Sequence, residues 1–223
     1  MRKSRLEASR WKGKYSDHSR LATCGVMRNG SVLLKEKEEL SPRLTQAITY
    51  WRSVYLNELH SGPSRARVAE AVLEDFLAQR RPFFSSLDEA DNLYSSIYRS
   101  IEFSALSKML TLKTPLMRVS GYNLGASLVR NGVVRSLDEA PYALALYRIG
   151  LLDIIEESLN VMKLNIYECI SCYGVPNIGK TLCDFEAGVL QGILAELYGP
   201  NRVREKYCWG LGYSFCGFEV VFE

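Results

Sequence analysis

The sequence predicts an α/β fold of the α+β type: a four-stranded antiparallel sheet connected ββαββ, with helices packed on it and a helical extension ahead of it. Three observations point there. Apolar residues recur at helical spacing from Leu44 to Leu110 and again after Ser136. Two short apolar runs, Leu151–Ile155 and Val161–Ile170, then replace that period. After a further helical stretch from Cys183 to Tyr198, the chain closes as a hairpin, Val203–Trp209 and Ser214–Phe222, around Gly210-Leu211-Gly212.

The bulk properties bound the class. A chain of 223 residues holds one sizeable domain, or a domain with a helical arm. With 47% hydrophobic and 24% charged residues it should fold as a soluble globule. No apolar run approaches the roughly 20 residues of a membrane span. The start, Met1-Arg2-Lys3-Ser4-Arg5, has no apolar core behind it, which argues against a secretory signal, so a cytoplasmic location is expected. A net charge of +3 does not by itself imply nucleic acid, but residues 1–20 carry seven basic residues (Arg2, Lys3, Arg5, Arg10, Lys12, Lys14, Arg20) against Glu7 and Asp17, a local +5. Such an arm can contact phosphates or an acidic partner. A plain solvated tail reads the same way.

In order, residues 1–40 form a basic arm with a possible hairpin at Val26–Leu34, because Asn29-Gly30 suits a tight turn. Residues 41–82 read as a helical hairpin. Ser41-Pro42 starts the first helix; Leu44, Ile48, Trp51, Tyr55 and Leu59 line it. His60-Ser61-Gly62-Pro63 breaks it, and Val68, Val72, Leu73, Phe76 and Leu77 line a second helix up to Arg81-Pro82. Placing Arg65 and Arg67 on that second helix invites a helix-turn-helix reading, though most two-helix hairpins only pack or dimerise. His60, beside the break, reads as a surface residue and not a ligand. Residues 83–223 form the main domain. Leu93, Ile97, Ile101 and Leu106 mark a helix, with Tyr94 and Tyr98 sharing a face. Pro115 opens a new segment, in which Gly121 and Gly125, four apart, suggest a close helix contact. Ser136-Leu137-Asp138-Glu139 is a capping box for a helix ending near Gly150.

Six cysteines in a cytoplasmic chain point to metal or redox chemistry, not to a disulfide framework. Cys24 stands alone; the other five fall within 48 residues. Two chemistries compete for this stretch. Gly174 to Thr181 matches the phosphate-loop pattern G-x-x-x-x-G-K-[ST] letter for letter. The strand before and the helix after it fit that reading. The wider context does not: only 42 residues follow Thr181, and no apolar strand ending in Asp comes after it to hold magnesium. In the plainer reading Gly174 and Gly179 only permit the loop to turn.

The other chemistry is a zinc site, which takes thiolates and sometimes a carboxylate. The available groups are Cys169, Cys172, Cys183, Glu205, Cys208 and Cys216. Cys169-x-x-Cys172 has knuckle spacing, and Cys208 and Cys216 flank the last hairpin. Cys183 sits at a helix N-terminus, where the dipole favours a thiolate. Six groups for four positions leave some spare or redox-active, and buried free cysteines are also ordinary core residues.

At these residues the sequence resembles a known family. Cys183-Asp184-Phe185-Glu186-Ala187-Gly188, then Gly192, then Glu205-x-x-Cys208-Trp209-x-x-Gly212-x-x-x-Cys216-x-Phe218, resembles the 4-vinyl reductase domain. Glu168-Cys169-x-x-Cys172-x-Gly174 is similar to the strand exit of its archaeal members. The resemblance runs from Gly150 to Phe222 and extends back towards Leu87, leaving residues 1–80 outside it. It implies a fold like the small subunits of the TRAPP vesicle-tethering complex. It also implies relatives among phenol-responsive sensor domains, archaeal redox-responsive regulators and a protein of bacteriochlorophyll synthesis. The zinc ligands of the phenol sensors carry over to Cys183, Glu205, Cys208 and Cys216, whereas their ligand-contacting histidine has no match here. Glu205 and Cys208 are three apart and would face opposite sides of a regular strand, so both reach one metal only through a bulge or a strand end. Otherwise Cys172 or Cys169 takes the place of Glu205.

The resulting expectation is a non-enzymatic, zinc-binding sensor or carrier of a small apolar or aromatic ligand, holding about one zinc per chain. It would act as a homodimer or on a protein partner through its N-terminal helices. Two alternatives stand beside it. One is a reductase or tetrapyrrole-biosynthesis enzyme, for which no G-x-G-x-x-G fingerprint is present. The other is a DNA-binding regulator using the arm and the helical hairpin.

Overall fold

The structure is a computed structural model that describes residues 30–158 and 160–223, with side chains from residue 40 onwards except at Leu110. The chain divides into two units, Met1–Leu40 and Ser41–Glu223, and the account below concerns the second apart from the start of the first helix. The basic arm, Cys24 and the first part of the expected hairpin lie outside the described residues.

Helix α1 runs from Gly30 to Ser61. Gly30–Leu34 is therefore helical, not one arm of a hairpin, and Pro42 lies inside the helix instead of starting it. Leu33-Leu34-Lys35-Glu36-Lys37-Glu38-Glu39-Leu40 is a run of strong helix formers that carries the helix into the proline from upstream. Leu44, Trp51 and Glu58, seven apart, share the buried face, while Leu59 and His60 are exposed.

The expected second helix is mostly absent. After Gly62 the chain is extended, and only Leu73–Leu77 (α2) forms a turn of helix, burying Phe76. The cause is a non-local pairing. Arg67 bridges to Asn177 in parallel, and the Val68 N–H donates to the Asn177 carbonyl at 2.8 Å, so the backbone groups a helix needs are engaged elsewhere. The recognition helix required by the DNA-binding reading is thus not formed by residues 64–72.

Helix α3 spans Pro82–Leu87, with Phe83 and Phe84 buried. Helix α4, Asp91–Lys108, turns its polar face inward: Asp91, Ser95, Arg99 and Glu102 are buried, while Leu93, Tyr94, Ile97 and Ile101 are exposed. Tyr98 is separated from Tyr94 and faces the interior, donating to Glu102 Oε1 at 3.3 Å. Helix α5, Leu110–Arg130, contains Pro115 within it, so the proline does not open the segment. Ser136 makes no side-chain cap, although Glu139 accepts the Arg135 N–H at 2.9 Å; a 3-10 turn, Leu137–Glu139, leads into α6, Ala140–Leu146.

The ββαββ unit follows as expected: β1 Leu151–Glu157, β2 Val161–Tyr167, α7 Asp184–Tyr198, β3 Asn201–Tyr207 and β4 Cys216–Phe222. The sheet has order β1-β2-β4-β3, antiparallel throughout, with Leu152 opposite Ile166, Leu164 opposite Phe218 and Val203 opposite Val220. Trp51 of α1 stacks over Tyr167 of β2.

Helices α5 and α7 touch through glycines, as the Gly121/Gly125 spacing suggested. A Cβ on Gly121 or Gly125 would fall on the carbonyl oxygens of Phe185 or Val189, and one on Gly188 or Gly192 on those of Arg118 or Tyr122. Only the absence of side chains lets the two backbones approach so closely. No described helix is long and apolar enough to cross a membrane.

Candidate metal centre

Three segments converge beside the sheet. The first leaves β2. Glu168 takes φ +47, a left-handed conformation costly for a residue with a Cβ. Its carboxylate accepts the Trp51 indole N–H at 3.0 Å and the Phe83 N–H at 2.8 Å. Arg81 donates to its carbonyl at 3.1 Å. Burial pushes the Glu168 carboxyl up to about 6, against the pull of the Trp51 and Phe83 bonds. The reversal places Cys169 and Cys172 in a tight turn, closed by the Tyr173 N–H on the Cys169 carbonyl. Arg99 of α4 holds this turn from below, donating to the Ile170 carbonyl at 3.0 Å; burial pushes its guanidinium down to about 10.

The second segment is the start of α7, where Cys183 precedes the first helical residue. Buried Lys113 of α5 fixes it, donating to the Leu182 carbonyl and to Asp184, each at 3.0 Å, and pairing with Glu102 of α4. The third is the β3–β4 connection, which contributes Cys208 just past β3 and Cys216 as the first residue of β4.

All five cysteines are fully buried and none is in a disulfide. Cys183 Sγ lies 3.4 Å from Cys169, 3.2 Å from Cys172, 3.4 Å from Cys216 and 3.9 Å from Cys208. Cys172 and Cys216 are 3.1 Å apart. A Zn–S bond of about 2.3 Å puts the sulfurs of one tetrahedral ion about 3.8 Å apart, so these spacings are of metal-site size.

Glu205 joins the group. The β3–β4 register shifts between Glu205 and Tyr207, a bulge that removes the facing problem posed by its spacing from Cys208. Its Oε2 accepts the Cys183 N–H at 3.1 Å. Its Oε1 is buried with no hydrogen-bond partner, a costly state that a cation would relieve. All six sequence candidates are therefore brought together, as two overlapping quartets: Cys169, Cys172, Cys183 and Cys216, and Cys183, Glu205, Cys208 and Cys216. Within each, the donor atoms lie within 4.8 Å of one another. The donor set, thiolate-rich with one carboxylate, suits zinc.

Burial pushes the Cys172, Cys183 and Cys216 thiols and the Glu205 carboxyl well up. For Cys183 this reverses the expectation of a thiol lowered by the helix dipole; desolvation outweighs it. At Cys169 and Cys208 burial also opposes ionisation, but hydrogen bonds from neighbouring thiols prevail and hold them low.

Several neighbours were not singled out from the sequence. Glu186 is buried against the cluster, accepting from Cys169 Sγ at 3.0 Å and from the Ser171 hydroxyl at 2.7 Å. Its position three residues after Cys183, on one helix face, was the available signal. Arg65 stacks over Trp209 at 3.9 Å and donates to the Tyr213 carbonyl. It is occupied inside the fold and is not free for a DNA groove.

The phosphate-loop letters form no phosphate cradle. The N–H groups of Ile178, Gly179 and Lys180 all point to the Gly210 carbonyl, and α7 begins only at Asp184. The positive φ of Gly174 and Gly179 serves the turn alone.

A four-stranded antiparallel ββαββ sheet with a buried cysteine cluster at the start of its helix is the arrangement the resemblance implied. The 4-vinyl reductase domain matches residues 162–222. An uncharacterized protein of Methanocaldococcus jannaschii is 35% identical over 130 residues, spanning 58% of this chain and 78% of that protein. A second from the same organism is 31% identical over 131 residues, spanning 57% and 75%. The chain belongs to the 4-vinyl reductase domain family.

Similar solved structures include the phenol-responsive sensory domain of the transcription activator PoxR with phenol (TM-score 0.47, 15% identity, 57% of this chain and 73% of that one). Another is trafficking protein particle complex subunit 3 from Naegleria fowleri, covalently bound to palmitic acid (0.43, 15%, 60% and 96%). A third is a vinyl-4-reductase family protein from Methanocaldococcus jannaschii (0.41, 19%, 70% and 97%).

Proposed function

We propose that this chain is a non-enzymatic module of the 4-vinyl reductase type that binds a zinc ion through Cys183, Glu205, Cys208 and Cys216 and senses or carries a small apolar ligand. The observation that carries the metal assignment is the unpartnered, buried Glu205 Oε1, held within 4.8 Å of three cysteine sulfurs by the bulge in β3. Bound there, zinc would tie the start of α7 to the β3–β4 connection and neutralise charge that burial otherwise disfavours. Its thiolates are also oxidisable, which suits a regulatory role. The ligand-sensing part rests on membership of the family.

The module would act as a homodimer. Helix α4 exposes Leu93, Tyr94, Ile97 and Ile101, and α5 exposes Leu112, Leu116 and Val119. An apolar surface on two helices is what a second copy would cover.

Native mass spectrometry of the intact protein, purified without chelator, tests these parts together. Metal in the monomer mass supports the zinc reading and its absence refutes it. Doubled mass supports the dimer, and a retained small molecule supports the sensor.

A further inference from the structure

We propose that the cluster holds two divalent ions, with Cys183 and Cys216 as bridging thiolates. One ion would be completed by Glu205 and Cys208, the other by Cys169 and Cys172. The inference rests on the zinc reading above and extends it to a second metal position.

The geometry points there because the two quartets share two residues and no others. The shared sulfurs lie 3.4 Å apart, a common edge on which two tetrahedra can be built. Cys172 stands 3.2 Å and 3.1 Å from the two ends of that edge, and Cys169 3.4 Å from one end. On the other quartet Cys208 stands 3.9 Å from Cys183, and Glu205 is hydrogen-bonded to the Cys183 N–H. A single ion uses four of these six donors and leaves the other two buried against sulfurs already on the metal.

An iron–sulfur cube fits less well. It takes one thiolate at each iron, which spreads the cysteines, whereas all four sulfurs of the first quartet lie within 4.8 Å of one another.

Charge is the usual obstacle to a second ion in a buried site, and here it is absent. One divalent ion with three thiolates and a carboxylate carries two net negative charges. Adding a second divalent ion while Cys169 and Cys172 each lose a proton leaves that total unchanged. Two protons leave to solvent and one divalent ion enters. Positive charge flanks both halves: Arg65 interacts with Cys172, Cys208 and Cys216, and Arg99 with Cys169 and Cys172.

The test is a cobalt(II) titration of the reduced, metal-free full chain, followed by thiolate-to-cobalt absorption, proton release and electron paramagnetic resonance. Two equivalents should bind. The second should release two protons, and the resonance signal per cobalt should fall as the ions couple through shared sulfur. The double variant Cys169→Ser/Cys172→Ser should bind one equivalent with an uncoupled signal and an unchanged far-ultraviolet circular dichroism spectrum. Saturation of the full chain at one equivalent overturns the second site and leaves the first reading standing. Two equivalents without coupling overturn the bridge. No binding at all overturns both readings.

Discussion

Trp51 donates its indole N–H to the Glu168 carboxylate at 3.0 Å, although 117 positions separate the two residues in the chain. The bond links α1 to the residue immediately before Cys169, the one whose left-handed backbone turns the strand into the cluster. A helix outside the sheet thereby fixes where the first two cysteines point.

Trp51→Phe should therefore disturb the turn. It keeps most of the packing on Tyr167 and removes one donor from a buried carboxylate, a loss of about 1–3 kcal/mol. Phe83 still donates to Glu168, so the chain should fold. Urea unfolding should show the lower midpoint, and metal should pass to a competing chelator more readily than from the unaltered chain. A wild-type midpoint would show that the bond adds nothing.

Glu205→Gln removes a charged donor while keeping an amide oxygen able to accept the Cys183 N–H. Metal affinity should fall at least about tenfold, which corresponds to roughly 1.4 kcal/mol, with the fold retained. Competition against a chromogenic zinc chelator measures it. Undiminished affinity would assign the metal to Cys169, Cys172, Cys183 and Cys216 instead.

Gly188→Ala tests the α5–α7 contact. The added methyl group would meet the Arg118 carbonyl and the Tyr122 N–H of the facing backbone, neither of which can rotate away. The helices must separate, at a cost of about 1–3 kcal/mol. Thermal unfolding should register a fall of several degrees, roughly 2–4 °C per kcal/mol for a chain of this size.

Ile97→Glu places a charge in the exposed apolar row of α4, where Ile97 is 62% exposed. Sedimentation or light scattering should find the protein shifted from dimer to monomer, with far-ultraviolet circular dichroism unchanged. A variant that keeps the size of the unaltered protein would remove this surface from the interface.

The sheet was legible because its strands are short apolar runs between turns, and the α5–α7 contact because Gly121 and Gly125 are spaced by one helical turn. The convergence of six donors was legible in residue type and spacing. The rest depended on partners distant in the chain. Local pattern supported a helix from Ser64 to Arg81, but pairing of Arg67 with Asn177 drew that backbone into an extended path. Periodicity marked the apolar stripe of α4 without saying which stripe would face inward, and buried partners for Arg99 and Glu102 decided it. Spacing alone set Glu205 and Cys208 on opposite faces; the bulge that reunites them is a property of strand pairing. The dipole at Cys183 was visible, while the depth of its burial was not.

The complete burial of Cys169, Cys172, Cys183, Cys208 and Cys216 also makes them a clock. No alkylating reagent reaches these sulfurs while the fold is closed, so each labelling event records an opening of the chain. With reagent in excess, the labelling rate at each cysteine would report how often its segment comes loose. Cysteines sealed by one cooperative unit would be modified in step, and a segment that opens alone would run ahead of the others.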